Sequence, residues 1–137
     1  MFLGEFTHKI DSKNRIMIPS EFRGELGEEF YITKGPEKSL LIYTSNEFEN
    51  RAKKFEDLSY QNKNNRAMKR LFFSSTLKIT LDKQGRILIN KQLRDYAGLK
   101  DMAMIIGNNT NIEVWDIDNW NSYINEVEVN LSDIMDE

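Results

Sequence analysis

The sequence predicts an α+β domain with internal pseudo-two-fold symmetry, on three observations. A segment returns at a constant offset, short β-branched stretches alternate in polarity, and each half carries a hairpin followed by a helix. Residues Asp11-Ser-Lys-Asn-Arg15-Ile-Met-Ile-Pro-Ser-Glu-Phe-Arg23 reappear as Asp82-Lys-Gln-Gly-Arg86-Ile-Leu-Ile-Asn-Lys-Gln-Leu-Arg94, 71 residues on. Asp11/Asp82, Arg15/Arg86, Ile16/Ile87, Ile18/Ile89 and Arg23/Arg94 are identities, and Leu93 answers Phe22. The likeness continues at an offset of 72, aligning Gly35 with Gly107, Tyr43 with Trp115 and Phe48 with Trp120. Two copies are too few for a solenoid. They point to one domain over residues 1–137, built from halves at about 5–58 and 76–128 and joined by a helix at about 62–74.

The elements follow in order. Phe6, His8 and Ile10 alternate with Thr7 and Lys9, the period of a half-buried strand. Asp11–Asn14 reads as a turn, because Asp bonds its own downstream backbone and Asn tolerates positive φ. Arg15–Ile18 is a short strand stopped by Pro19, and Ser20 is expected to cap a helix that ends before Gly27. Phe30–Lys34 and Ser39–Tyr43 form a hairpin around Gly35–Lys38. Asn46, with Glu49 three residues on, is the expected cap of the next helix, whose buried face is Phe48, Ala52 and Phe55.

The second half replays this order. Leu77, Ile79 and Leu81 alternate, Asp82–Gly85 turns, Arg86–Ile89 is a strand, and Gln92–Ala97 is a helix ended by Gly98. Met102–Ile106 and Ile112–Trp115 pair around Gly107–Thr110, and Asp118 is the expected cap of a helix burying Trp120, Tyr123, Ile124 and Val127. In the connecting helix, Ala67, Met68, Leu71 and Phe72 are expected inside and Lys63, Arg66, Lys69 and Arg70 outside. No Pro/Gly/Ser-rich linker separates the copies, so interleaved halves are expected.

Composition narrows the function. The chain has no Cys, which removes thiolate metal sites and fits a reducing compartment. It has no signal-like leader and no apolar run near the ~20 residues that span a bilayer. A soluble, cytoplasmic protein without membrane contact is expected. The net charge of −3 is unevenly spread. Residues 113–137 hold 8 acids and no Lys or Arg, leaving 19 basic against 14 acidic residues in 1–112, a net +5.

The repeated loop is the candidate site. Asp11 and Asp82 can each tie a turn together and hold the guanidinium four residues on in one orientation. A guanidinium held that way presents a planar fork to guanine O6/N7 or to phosphate. Alone, such a pair closes a turn as a surface ion pair worth ~0–1 kcal/mol. Its duplication, with Lys13, Lys83 and Gln84 on the turns, points to binding. Lys13 and Gln84 occupy equivalent positions, so the two loops can divide phosphate anchoring and base reading. Arg23 and Arg94 read better as structural groups bonded to an acid or a helix-end carbonyl. Lone His8 has no second ligand or base partner, Asp116 and Asp118 read as caps, and no phosphate-binding glycine loop occurs. No catalytic residue, metal site, cofactor or small-molecule substrate is expected, and the chain does not read as an enzyme.

Phe2–Pro19, Arg70-Leu-Phe-Phe-Ser-Ser75 and Asp82–Ile89 together resemble the MraZ family of bacterial transcriptional regulators, over Phe2 to about Tyr123. The resemblance implies an AbrB-like swapped-hairpin (double-split) β-barrel with flanking helices, both half-repeats supplied by one chain. It implies a ring-shaped homo-oligomer, associated with the nucleoid, that binds repeated boxes in double-stranded DNA upstream of its own division and cell-wall gene cluster. By position, the family's DNA-reading pairs fall on Asp11/Arg15 and Asp82/Arg86. Asn14 stands where the family usually has Gly, and Asn90 where its second copy usually has Pro. The reading is a sequence-specific DNA-binding regulator that uses tandem direct repeats. Its rivals are a ring-forming protein-interaction scaffold without DNA readout and a hydrolase, which should show a His/Asp/Ser or metal-ligand cluster.

Overall fold

The first half of the chain runs β1 (Glu5–Lys9), β2 (Arg15–Met17), α1 (Ser20–Leu26), β3 (Glu29–Lys34), β4 (Leu40–Thr44) and α2 (Ser45–Asp57) in the computed structural model, which describes residues 1–136. Helix α3 (Lys63–Ser75) connects it to β5 (Leu77–Thr80), β6 (Arg86–Leu88), α4 (Lys91–Ala97), β7 (Met102–Asn108), β8 (Asn111–Asp116) and α5 (Ile117–Val129). A short α6 (Leu131–Met135) follows. The strands form a six-stranded antiparallel sheet in the order β1-β7-β8-β4-β3-β5 and a separate antiparallel ribbon of β2 and β6.

Read from its other end, this order exchanges every strand for its counterpart in the other half. The first strand of each half pairs with the third element strand of the other: β1 with β7, from Glu5↔Ile106 to Lys9↔Met102, and β5 with β3, from Glu29↔Thr80 to Ile32↔Leu77. The halves are therefore interleaved, as the missing linker implied. Among the described residues no ladder joins β1 to β5, so hydrogen bonds do not close the expected barrel. The three-residue β2 and β6 spend their edges on each other, and the bridge Ile10↔Ile16 ties the ribbon to the sheet.

Repeated apolar identities meet in one core. Ile16, Ile18, Phe22, Ile87, Ile89 and Leu93 are buried with Ile32, Ile42, Ile105 and Val114 on the inner face of the sheet. On its outer face, Leu41 and Tyr43 pack with Phe48, Phe55 and Phe72, while Met104 and Trp115 pack with Trp120 and Ile124. The repeated glycine also has a physical cause at position 107. A Cβ there would lie 2.3 Å from the backbone nitrogen of Leu3, where the N-terminal segment crosses β7.

Several local expectations are corrected. The helices after each hairpin are capped by Thr44 and Asp116, whose side chains accept from the amides of Glu47 and Asn119, not by Asn46 and Asp118. Each strand runs straight into its helix, so its last residue is the cap. Helix α1 begins after Pro19 without a side-chain cap, and Ser20 donates to Glu21 instead. In the second hairpin the strands extend to Asn108↔Asn111, leaving Asn109-Thr110 as the turn. Helix α3 is rotated from its expected face. Phe72 is buried, but Ala67, Met68 and Leu71 are exposed. Lys69 pairs with the exposed Glu56 at 2.6 Å, and Arg66 donates to the carbonyls of Tyr60 and Gln61. Tyr123 is likewise more exposed than expected, although it stacks beside Trp115.

Candidate nucleic-acid interface

The two repeated turns have the same internal bonding. Asp11 Oδ1 accepts from the amides of Lys13 and Arg15, both at 2.9 Å, and its Oδ2 accepts from Arg15 Nε at 2.9 Å. Asp82 does the same with the amides of Gln84 and Arg86 at 2.9 Å and with Arg86 Nε at 2.8 Å. Asn14 (φ 64°) and Gly85 (φ 80°) supply the left-handed residue that closes each turn. Each aspartate therefore fixes its backbone with one oxygen and its arginine with the other. Only Nε of Arg15 is committed, and among the described residues its terminal nitrogens have no hydrogen-bond partner.

Both turns feed the β2–β6 ribbon, whose register sets Ile16 opposite Ile87. These two isoleucines face the core. Alternation then puts Arg15, Met17, Arg86 and Leu88 together on the outward face. Arg86 Nη1 reaches to 3.7 Å from Asp11 Oδ2, so the two constellations form one cluster. Reciprocal backbone bonds lock the turns to the opposite strands: Ile18 donates to the carbonyl of Gly85, and Ile89 to that of Asn14. Lys13, Lys83 and Gln84 are exposed on the turns. Period-two alternation from Ile16 and Ile87 also marks Met17 and Leu88 as outward, and Leu88 is 63% exposed.

Arg23 and Arg94 are structural, with partners other than those expected. Arg23 Nε donates to the carbonyl of Ile18 at 2.9 Å, and Arg94 Nη1 to that of Ile89 at 2.5 Å. Arg23 belongs to the first half yet lies under the second turn. A Cβ on Gly85 would stand 2.3 Å from its Cζ. Asn14, the counterpart of Gly85, carries a Cβ, and Arg94 bonds its carbonyl through a terminal nitrogen where Arg23 uses Nε. Gly85→Ala is expected to cost ~1–2 kcal/mol, the penalty of a Cβ in left-handed backbone, and to displace Arg23. Gly85→Asn should cost less, because Asn14 already occupies that conformation. Urea denaturation of both variants checks this, and equal losses would refute it. Asn90, the counterpart of Pro19, caps α4 by accepting from the Leu93 amide.

The aspartates are held below the ordinary carboxylate range. The Arg15 amide is the leading cause for Asp11 and the Arg86 amide for Asp82, with the guanidiniums adding to both and desolvation opposing. A pKa lowered on folding contributes stability that is complete above the unfolded value, ~3.9. That contribution is lost as pH falls through the lower, folded value. The turn amides of Lys13, Arg15, Gln84 and Arg86 should therefore keep their chemical shifts from pH 7 to about 4.5. They should move only below the ordinary Asp midpoint; a transition centred above ~4 in an NMR titration would contradict the bonding described.

Among the described residues no group of three or more His, Cys, Asp or Glu could hold a metal, and no helix is long and apolar enough to cross a membrane. The family model of the MraZ protein, described as antitoxin-like, matches the chain twice, over residues 1–71 and 72–137. The chain belongs to the MraZ family. The two matches divide it inside α3, each taking one Asp–Arg turn. A protein of Finegoldia magna named transcriptional regulator MraZ is 44% identical over 136 residues, covering 99% of this chain and 95% of the relative. An MraZ of Acetivibrio thermocellus with the same name is 42% identical over 137 residues, covering 100% and 96%.

Proposed function

We propose that this MraZ chain is a sequence-specific, double-stranded-DNA-binding transcriptional regulator and that Asp11, Lys13, Arg15, Asp82, Lys83, Gln84 and Arg86 form its DNA contact. The observation that carries this reading is the shared outward face of the β2–β6 ribbon, where two pre-oriented guanidiniums stand together. A major groove, ~12 Å wide, admits a two-stranded ribbon, and an arginine fork matches guanine O6 and N7. The relatives' names support regulation of transcription. The net +5 of residues 1–112 supplies attraction to the duplex despite the acidic total.

On this reading the exchanged strands are the swapped hairpins of one domain of two AbrB-like halves, and the ribbon is the second wall of a barrel. The protein is a cytoplasmic, nucleoid-associated non-enzyme that assembles into a ring. It acts on repeated boxes at the promoter of its own division and cell-wall cluster.

The test is a gel shift with the chain's own upstream region over a salt series. Specific binding is expected. Lys13→Ala and Lys83→Ala should weaken it on every sequence and each flatten the slope of log K against log salt by about 1, since each neutralised phosphate releases counterion. Binding to no DNA, by a chain that still assembles, would leave the scaffold reading instead.

A further inference from the structure

We propose that the acidic C-terminal segment of one subunit docks in a basic-rimmed apolar groove on a second copy of the chain, a contact that rests on the self-assembly proposed above and names its surfaces. The groove lies between α2, α3 and the β3–β4 turn and has a volume of about 520 Å³. Leu41, Tyr43, Phe55 and Phe72 form its floor, and Met68 and Leu71, each half exposed, form its outer wall. It continues past Lys34, Leu71 and Tyr96 into a second cavity of about 570 Å³ beside α4. Met68 and Leu71 stand exposed because α3 turns Phe72, and not their face, onto the sheet.

The rim is cationic. Lys34 and Lys38 lie 5.1 and 4.9 Å from the centre of the Tyr96 ring, and Arg51 lies 5.6 Å from that of Tyr43. Arg51 pairs with Glu47 at 3.4 Å. Among the described residues no carboxylate lies within ion-pairing distance of Lys34 or Lys38. Asp95, on the second cavity, is already held by Lys91 at 2.6 Å.

The tail has the complementary character. Leu131, Ile134 and Met135 fall at i, i+3 and i+4 of α6 and stand exposed, as does Val129 before them. Positions so spaced share one helix face. Glu126, Glu128, Asp133 and Asp136 surround them without a Lys or Arg from 113 onward. In its own chain this segment packs on α5, which lies on β7 and β8, whereas α2 and α3 lie on β3 and β4. No residue of 113–136 lines the groove. A groove on one half and a tail on the other make a head-to-tail contact, which leaves a free groove and a free tail at every step and propagates around a ring.

The cysteine-free sequence permits a direct test in the full-length chain without DNA. Met68→Cys lies on the groove wall and Met135→Cys on the tail. Mixed under oxidising conditions, the two single variants should give a disulfide-linked pair holding one chain of each. The double variant should give a ladder of linked chains. Raising NaCl from 0.05 to 0.5 M should reduce the linked fraction several-fold, and removal of residues 131–137 should lower the mass in light scattering. Closure of the double variant within one chain would overturn the proposal, as would a Met68→Cys homodimer. Absence of any link in a chain of ring-sized mass would overturn it while sparing the ring; a monomeric mass would refute both.

Discussion

Replacing Arg15 or Arg86 by alanine is expected to weaken specific DNA binding by about 1–3 kcal/mol per loop, a roughly 5- to 150-fold rise in Kd. The loss multiplies when several copies engage one DNA. The fold should survive, because both guanidiniums lie on the outward ribbon face, away from the core. Asp11 and Asp82 would still hold their turns through two backbone amides each. Arg→Lys is the sharper variant. It keeps the charge and so the salt-dependent, non-specific affinity, but it loses the planar fork that reads guanine. Binding isotherms on target and scrambled DNA measure the difference. Unchanged discrimination in both alanine variants, with unchanged circular dichroism, would remove the arginines from the interface.

Arrangement of the target should matter even more than any one side chain. Subunits related by rotation around a ring present their ribbons in the same sense, which suits direct repeats, whereas an isolated two-fold dimer suits a palindrome. Tethered neighbours raise avidity by roughly 10²–10⁴ without a new contact. Tandem boxes are therefore expected to bind far more tightly than a single box. Light scattering should also give a mass several-fold above the 16.1 kDa of one chain. A dimer that holds one box as firmly as three would defeat this arrangement.

The repeat made much of this architecture legible. Identities at 11/82, 15/86, 16/87 and 18/89 located both turns, both ribbon strands and the inward isoleucines, because turn chemistry and period-two burial are local properties. Asn14 and Gly85 were readable for the same reason. Pairing across the halves was harder. Nothing near Glu5 indicates that its partner is Ile106, since that choice is made by the assembled core. Nor could an apolar count of α3 foresee that Phe72 would be buried while Met68 and Leu71 stay in solvent. Arg23 under Gly85 was hidden for a related reason: a glycine chosen for positive φ also makes room for a guanidinium from the other half.

The exchange of first strands between the halves bears on how the chain is made. When β1 leaves the ribosome its partner β7 is about a hundred residues away in the sequence, and at ~5–20 residues per second that gap lasts on the order of 5–20 s. Throughout that interval β1 lacks its ladder, and β3 lacks the neighbour that β5 later supplies. Two nascent chains on one message are then close enough for the leading half of one to accept the trailing half of the other. Such an exchange satisfies every ladder in the sheet and yields an intertwined pair of chains. Rapid synthesis of residues 63–108 shortens the exposure and favours pairing within one chain.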